Sequence, residues 1–186
     1  MTVSVAFIRS VDRSEVSDEV GVALEAGGDL RLLGVLAHAQ GAFRPWLRFS
    51  TALLSRLELS PLLRELAILQ VAVLVPGGEY EWAQHAPLAL AAGATAPQLE
   101  ALRRGAAADS AFSAEQVLAL RFVEEVVRDG VPHDETRSAA LDLLGPRQVV
   151  ELLLVIGQYM MVARMIAAAG LEPEAPAQSV AQRAQL

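Results

Sequence analysis

The sequence predicts an all-α domain, and three observations carry that expectation. Leu and Ala dominate the periodic segments while aromatic residues are only 5%, so strand signals are scarce. Helix starts are well marked: Ser60-Pro61 reads as an N-cap followed by proline at the first helical position, and Thr95…Gln98 and Ser113…Gln116 fit the capping box. Helix ends are marked too, because Gly93, Gly105, Gly130, Gly145 and Gly170 each sit just past an apolar-periodic run, where a left-handed C-cap belongs.

Taken in order, the punctuation predicts helices over 30–41, 44–57, 61–75, 80–92, 97–104, 114–129, 134–144 and 147–169. The first follows a Gly27-Gly28 break and carries His38 on its apolar run. The second ends ahead of the Ser60 cap. The third and the last are apolar nearly all round, which suits a central helix or one buried between subunits. The fourth closes at Gly93, the fifth runs from Thr95 to Gly105, and the sixth from Ser113 to Gly130. The seventh starts beside Asp134 and Glu135 and ends at Gly145. Residues 1–28 have weak periodicity and read as an N-terminal extension. Residues 29–170 form the helical domain, and the Pro/Ala/Gln-rich residues 171–186 read as a flexible C-terminal tail.

Composition removes whole classes of chemistry. At 186 residues the chain is one domain with room for a real core. It has no cysteine, hence no disulfide, thiolate metal site, cysteine nucleophile or redox pair. Lysine is absent as well, which excludes a Schiff-base, pyridoxal-phosphate or P-loop lysine, and with no asparagine there is no N-glycosylation acceptor. A net charge of −7 argues against nucleic acid or an anionic membrane as partner. The stretches Leu66–Pro76 and Val149–Ala169 are interrupted by Gln70, Pro76, Glu151, Gln158 and Arg164, so neither reads as a membrane span. Without a basic, apolar leader at the start, the expectation is a cytoplasmic protein.

What chemistry remains is concentrated. His133 starts a helix and reads as a solvated cap residue. His38 reads as a core or pocket-wall histidine. Glu81 and His85 are four residues apart, so they share a helix face. Partly buried, such a pair works as general acid and base; exposed, it is an ordinary helix pair worth ~0.2–0.5 kcal/mol. A metal would need a third ligand that no motif supplies, so no metal is expected. Glu65 falls within the apolar stripe of Ile68, Leu69 and Ala72, and there it needs a partner, Arg64 being one choice, or else it takes up a proton. Gln158 and Tyr159, in an apolar helix, serve packing and interhelical hydrogen bonding or line a pocket.

The string Arg64-Glu65-Leu66-Ala67-Ile68-Leu69…Gly78-Glu79-Tyr80-Glu81-Trp82-Ala83-Gln84-His85…Ala91-Ala92-Gly93 resembles the carboxymuconolactone decarboxylase family, within the alkylhydroperoxidase-D-like superfamily. The similarity continues through Arg147–Leu152 and Gly157–Arg164 and covers roughly residues 30–172. It implies an all-α bundle of about six to eight helices that assembles into oligomers, with 29–170 as the family domain. It also implies roles. Gly78 and Glu81 fall where the peroxidase branch has its two cysteines, His85 matches the family histidine and Glu65 the relay glutamate. One extra residue, near Pro76-Gly77, separates Glu65 from the motif. Lacking cysteine, the chain cannot run a thiol peroxidase cycle. The lactone decarboxylase branch, which also lacks the pair and keeps a Glu four residues before its His, is the better match.

Two functional expectations follow. The first is a cofactor-independent enzyme acting on a small carbonyl-activated carboxylic acid or lactone by decarboxylation, isomerisation or cyclisation. His85 would be the general acid or base with Glu81 and Glu65 as partners, while Tyr80, Trp82, Gln158, Tyr159 and His38 would contact substrate. The second is a catalytically silent helical oligomer that binds a small apolar ligand or a partner protein. In both, the chain is expected to form a homo-oligomer, a dimer or trimer, partly through 147–169.

Overall fold

The computed structural model describes residues 6–27 and 30–176, and among them all regular structure is helical. Eight α-helices follow a 3-10 turn at Arg13–Glu15: α1 Asp18–Gly27, α2 Arg31–Leu36, α3 Gln40–Ser55, α4 Pro61–Leu74, α5 Gly78–Ala91, α6 Ala96–Arg103, α7 Ala114–Asp129 and α8 Asp134–Ala169. The punctuation sits where the sequence puts it. Ser60 Oγ accepts from the Leu63 N–H at 3.2 Å, and both capping boxes are closed. Each such cap is worth about 1 kcal/mol. The five helix-ending glycines all have positive φ.

Helix α4 is the hub. Every residue from Leu63 to Ala72 is buried, and α5, α6, α7 and α8 all pack on it. That is possible because its two charges, Arg64 and Glu65, are neighbours that pair with each other. One face of α4 joins Phe122 and Val123 of α7 and Leu152, Val155 and Ile156 of α8; another joins Trp82 and Ala89 of α5 and Leu102 of α6. A third cluster gathers α1, α2 and α3 around Phe43 and Tyr80 and the end of α8.

Three boundaries differ from the sequence reading. Asp18–Gly27, expected as part of a weakly patterned extension, is a helix because Val20 and Leu24 pack into the third cluster. The helix expected over 30–41 stops at Leu36, and a turn through Ala37 and His38 leads into α3. The segments 134–144 and 147–169 are two arms of α8, bent at Gly145 (φ 72°, ψ 166°) ahead of Pro146. By length and composition alone α8 could cross a bilayer, yet half of its most apolar stretch is buried inside the fold.

Of the expected flexible tail, 177–186 lie outside the described residues, as do 1–5 of the N-terminal extension. Residues 171–176 form an extended strap against α5. Glu174 bonds to the Tyr80 hydroxyl and accepts from the Arg31 N–H at 3.0 Å, while the Gln84 amide donates to the carbonyls of Glu174 and Ala175.

Candidate active site

The hairpin of α4 and α5 builds the site. Its turn is tight: Gly77 is left-handed (φ 86°), and the Gly78 N–H donates to the Val75 carbonyl at 3.3 Å. A Cβ on Gly78 would stand 1.8 Å from the Ala72 carbonyl oxygen, so only glycine fits the start of α5. Across this turn Glu65 and His85 meet.

They meet at 2.8 Å, His85 Nδ1 donating to Glu65 Oε2. On its far side Glu65 Oε1 accepts from Arg64 Nε at 3.0 Å, with Nη2 at 2.9 Å. Across the imidazole, Nε2 lies 3.5 Å from Glu81 Oε2. Glu65, Glu81 and His85 are each less than 5% exposed. The result is a buried row of alternating charge: guanidinium, carboxylate, imidazole, carboxyl. The ring of Tyr159 packs edge-on to His85, centroids 4.9 Å apart and planes at 87°, which fixes the imidazole from the side.

Burial and charge act against one another along the row. Burial pushes Glu65 up, but His85 and then Arg64 outweigh it and hold its carboxyl below the ordinary range. Burial pushes His85 down, but Glu65, followed by Glu81, outweighs it and raises the imidazole, favouring imidazolium. For Glu81 burial outweighs the pull of the imidazole. Burial raises its carboxyl to about 7, with His85 pulling down and Glu65 pushing further up. Two carboxylates separated by one imidazole thus have their proton affinities driven apart, the pattern that assigns a fixed anion and a mobile proton. A metal ion finds no common focus here, because the carboxylates take opposite nitrogens of the ring, and no cluster of three ligands occurs among the described residues.

Glu81 and His85 line a cavity whose wall also includes Leu30, Leu33, Trp46 and Leu54, together with Gln158 and Tyr159. Its free volume is about 40 Å³, room for a few water molecules. Of the residues singled out from sequence, the structure brings together Glu65, Glu81 and His85, and sets Tyr80, Gln158 and Tyr159 around the cavity. Trp82 lies elsewhere, stacked under Arg103 at 4.3 Å in the α4–α6 cluster. His38, expected in the core or on a pocket wall, is exposed. The chain leaves helix α2 before reaching it, and its Nε2 contacts the Arg9 carbonyl at 2.9 Å. His133 is exposed at the start of α8, near Glu125 and Asp129. Sequence reasoning missed Trp46 and Gln84. Gln84, one residue from His85 and three from Glu81, carried a positional signal; a lone tryptophan in α3 carried none.

The carboxymuconolactone decarboxylase family matches residues 40–125, a little under half of the chain, which span α3 to most of α7 and include Glu65, Glu81 and His85. That match supports a decarboxylase-like or alkylhydroperoxidase-D-like function at the level of the family. No curated protein matches the chain.

Proposed function

We propose that the protein is a cofactor-independent decarboxylase of a small acid or lactone whose carboxylate is activated by a neighbouring carbonyl. The single observation behind this reading is the buried row Arg64–Glu65–His85–Glu81 with its last two members on a cavity wall. Within the family the thiol chemistry of the peroxidase branch needs cysteine, and the chain has none.

The roles follow from the charges. Glu65, held as an anion by His85 and Arg64, favours the protonated form of His85. As the C–C bond to the carboxylate breaks, CO2 leaves and the electron pair moves onto the substrate carbonyl as an enolate. The His85 imidazolium faces that developing negative charge, where a fixed donor helps most. Glu81, protonated up to about pH 7, gives its proton to the carbon that lost CO2 and is reprotonated from water. In this assignment Glu81 is the general acid and His85 the electrostatic partner, a refinement of the roles that spacing alone suggests.

The test is turnover of a panel of carboxylated lactones and β-keto acids in D2O. The expected result is enzyme-dependent CO2 release with one deuterium at the vacated carbon. His85→Gln and Glu81→Gln should each lower kcat by about 10²–10⁴-fold with little change in KM. Folded variants that turn over at wild-type rates would make the row structural and leave the ligand-binding oligomer as the better reading.

A further inference from the structure

The cavity wall restricts what the site accepts, an inference that rests on the acid–base reading and deepens it. His85 is the only group among the described lining residues that can carry positive charge: no arginine is among them, and the chain has no lysine. Arg64 is bound to Glu65 and does not reach the wall. A substrate with two carboxylates could set one near His85, and the other would meet Glu81, leucine side chains or neutral groups such as Ser50 and Gln158, with no second cation to offset its charge. A buried, unpaired carboxylate is strongly disfavoured.

The same wall holds an unused donor. Among the described residues the indole Nε1–H of Trp46 finds no acceptor, and it is closed off from solvent. Buried N–H groups without partners are rare in folded proteins. With so little free volume, a ligand larger than a few waters enters only as wall side chains give way. An oxygen arriving there would offer Trp46 its acceptor.

We propose that the site takes a compact, mainly apolar acid with a single carboxylate, excludes di-acids, and positions the substrate through a hydrogen bond from Trp46 Nε1–H to one of its oxygens. Trp46 is thus a positioning residue, and Glu81 and His85 keep the chemistry.

The experiment is a 1H–15N titration of the two indole signals, Trp46 and Trp82, at constant pH and ionic strength. The probes are phenylacetate, 2-methylphenylacetate and homophthalate; the last two share ring and substitution pattern but differ by one carboxylate. The expected result is a saturable shift of the Trp46 signal with both mono-acids, a still Trp82 signal, and homophthalate binding at least about tenfold more weakly than 2-methylphenylacetate. Trp46→Phe should weaken phenylacetate about five- to tenfold. Homophthalate binding as tightly as its methyl counterpart, a shift of Trp82 instead, or no saturable shift with either mono-acid would overturn the proposal, whether or not the variant folds. Such a failure beside turnover that still depends on His85 and Glu81 would sink the substrate class alone. The expected shifts beside turnover indifferent to those residues would sink the acid–base reading.

Discussion

A single carboxylate decides the behaviour of the whole charged row. Glu65 holds Arg64 on one side and His85 on the other, all three buried. Glu65→Gln would strand a buried guanidinium and remove the charge that keeps the imidazole protonated. The expected loss is about 3–5 kcal/mol of unfolding free energy, the usual result of breaking one side of a buried pair, read from urea melts. Glu81 should behave in the opposite sense. Its folded carboxyl titrates at about 7 against an ordinary 4.5, so it holds its proton more tightly folded than unfolded. Between those values the unfolded chain sheds the proton first, and Glu81's contribution to stability falls as pH climbs through that window, levelling off above it. Glu81→Gln removes this loss. The variant's melting temperature relative to wild type should therefore rise from pH 5 to pH 7.5, and a flat or falling difference would contradict the assignment.

At the scale of elements, the α4–α5 turn sets the register of the site. Gly78→Ala drives a methyl into the Ala72 carbonyl, and we expect a loss of about 2–3 kcal/mol in denaturant melts. The strap should be separable from the hairpin. Glu174→Ala removes the partner of Tyr80 and Arg31, for an expected cost of about 1–2 kcal/mol, with α4 and α5 intact by circular dichroism. Much of this architecture is legible in the sequence where side chains bond to their own backbone, as at Ser60, Thr95 and Ser113. It is illegible where tertiary packing decides. Nothing local marks Val20 and Leu24 as core, and no Gly or Pro marks the end of α2 at Leu36. The strap, without periodicity, gives no sign that Glu174 will lie under Arg31. The site follows the same rule. Glu81 and His85 declare themselves by spacing and Glu65 by its apolar setting, whereas Trp46 joins them only through the fold.

At the scale of the molecule, the second arm of α8 carries an apolar face that the described residues do not cover. Val150, Leu153, Leu154 and Met161 are each at least 40% exposed, and Met160, Met161 and Met165 border a shallow apolar hollow beside Gly157. A face of this kind on a chain of net charge −7 is an interface signal, and we propose that it is the seam of a homo-oligomer, a dimer or trimer. Light scattering should give a multiple of 19.8 kDa, and Leu154→Arg should shift the species toward the single chain. A stable wild-type species of single-chain mass at micromolar concentration would count against it.

The most direct test of the central claim is a pH titration of the His85 ring nitrogens by 15N NMR, with the Glu81 carboxyl carbon followed by 13C. The account predicts that both His85 nitrogens remain protonated through neutral pH, that the Glu81 carbon titrates near 7, and that Glu65→Asn, in whatever fraction stays folded, lowers the imidazole's titration. A neutral His85 at pH 6 beside a Glu81 already ionised at pH 5 would contradict it.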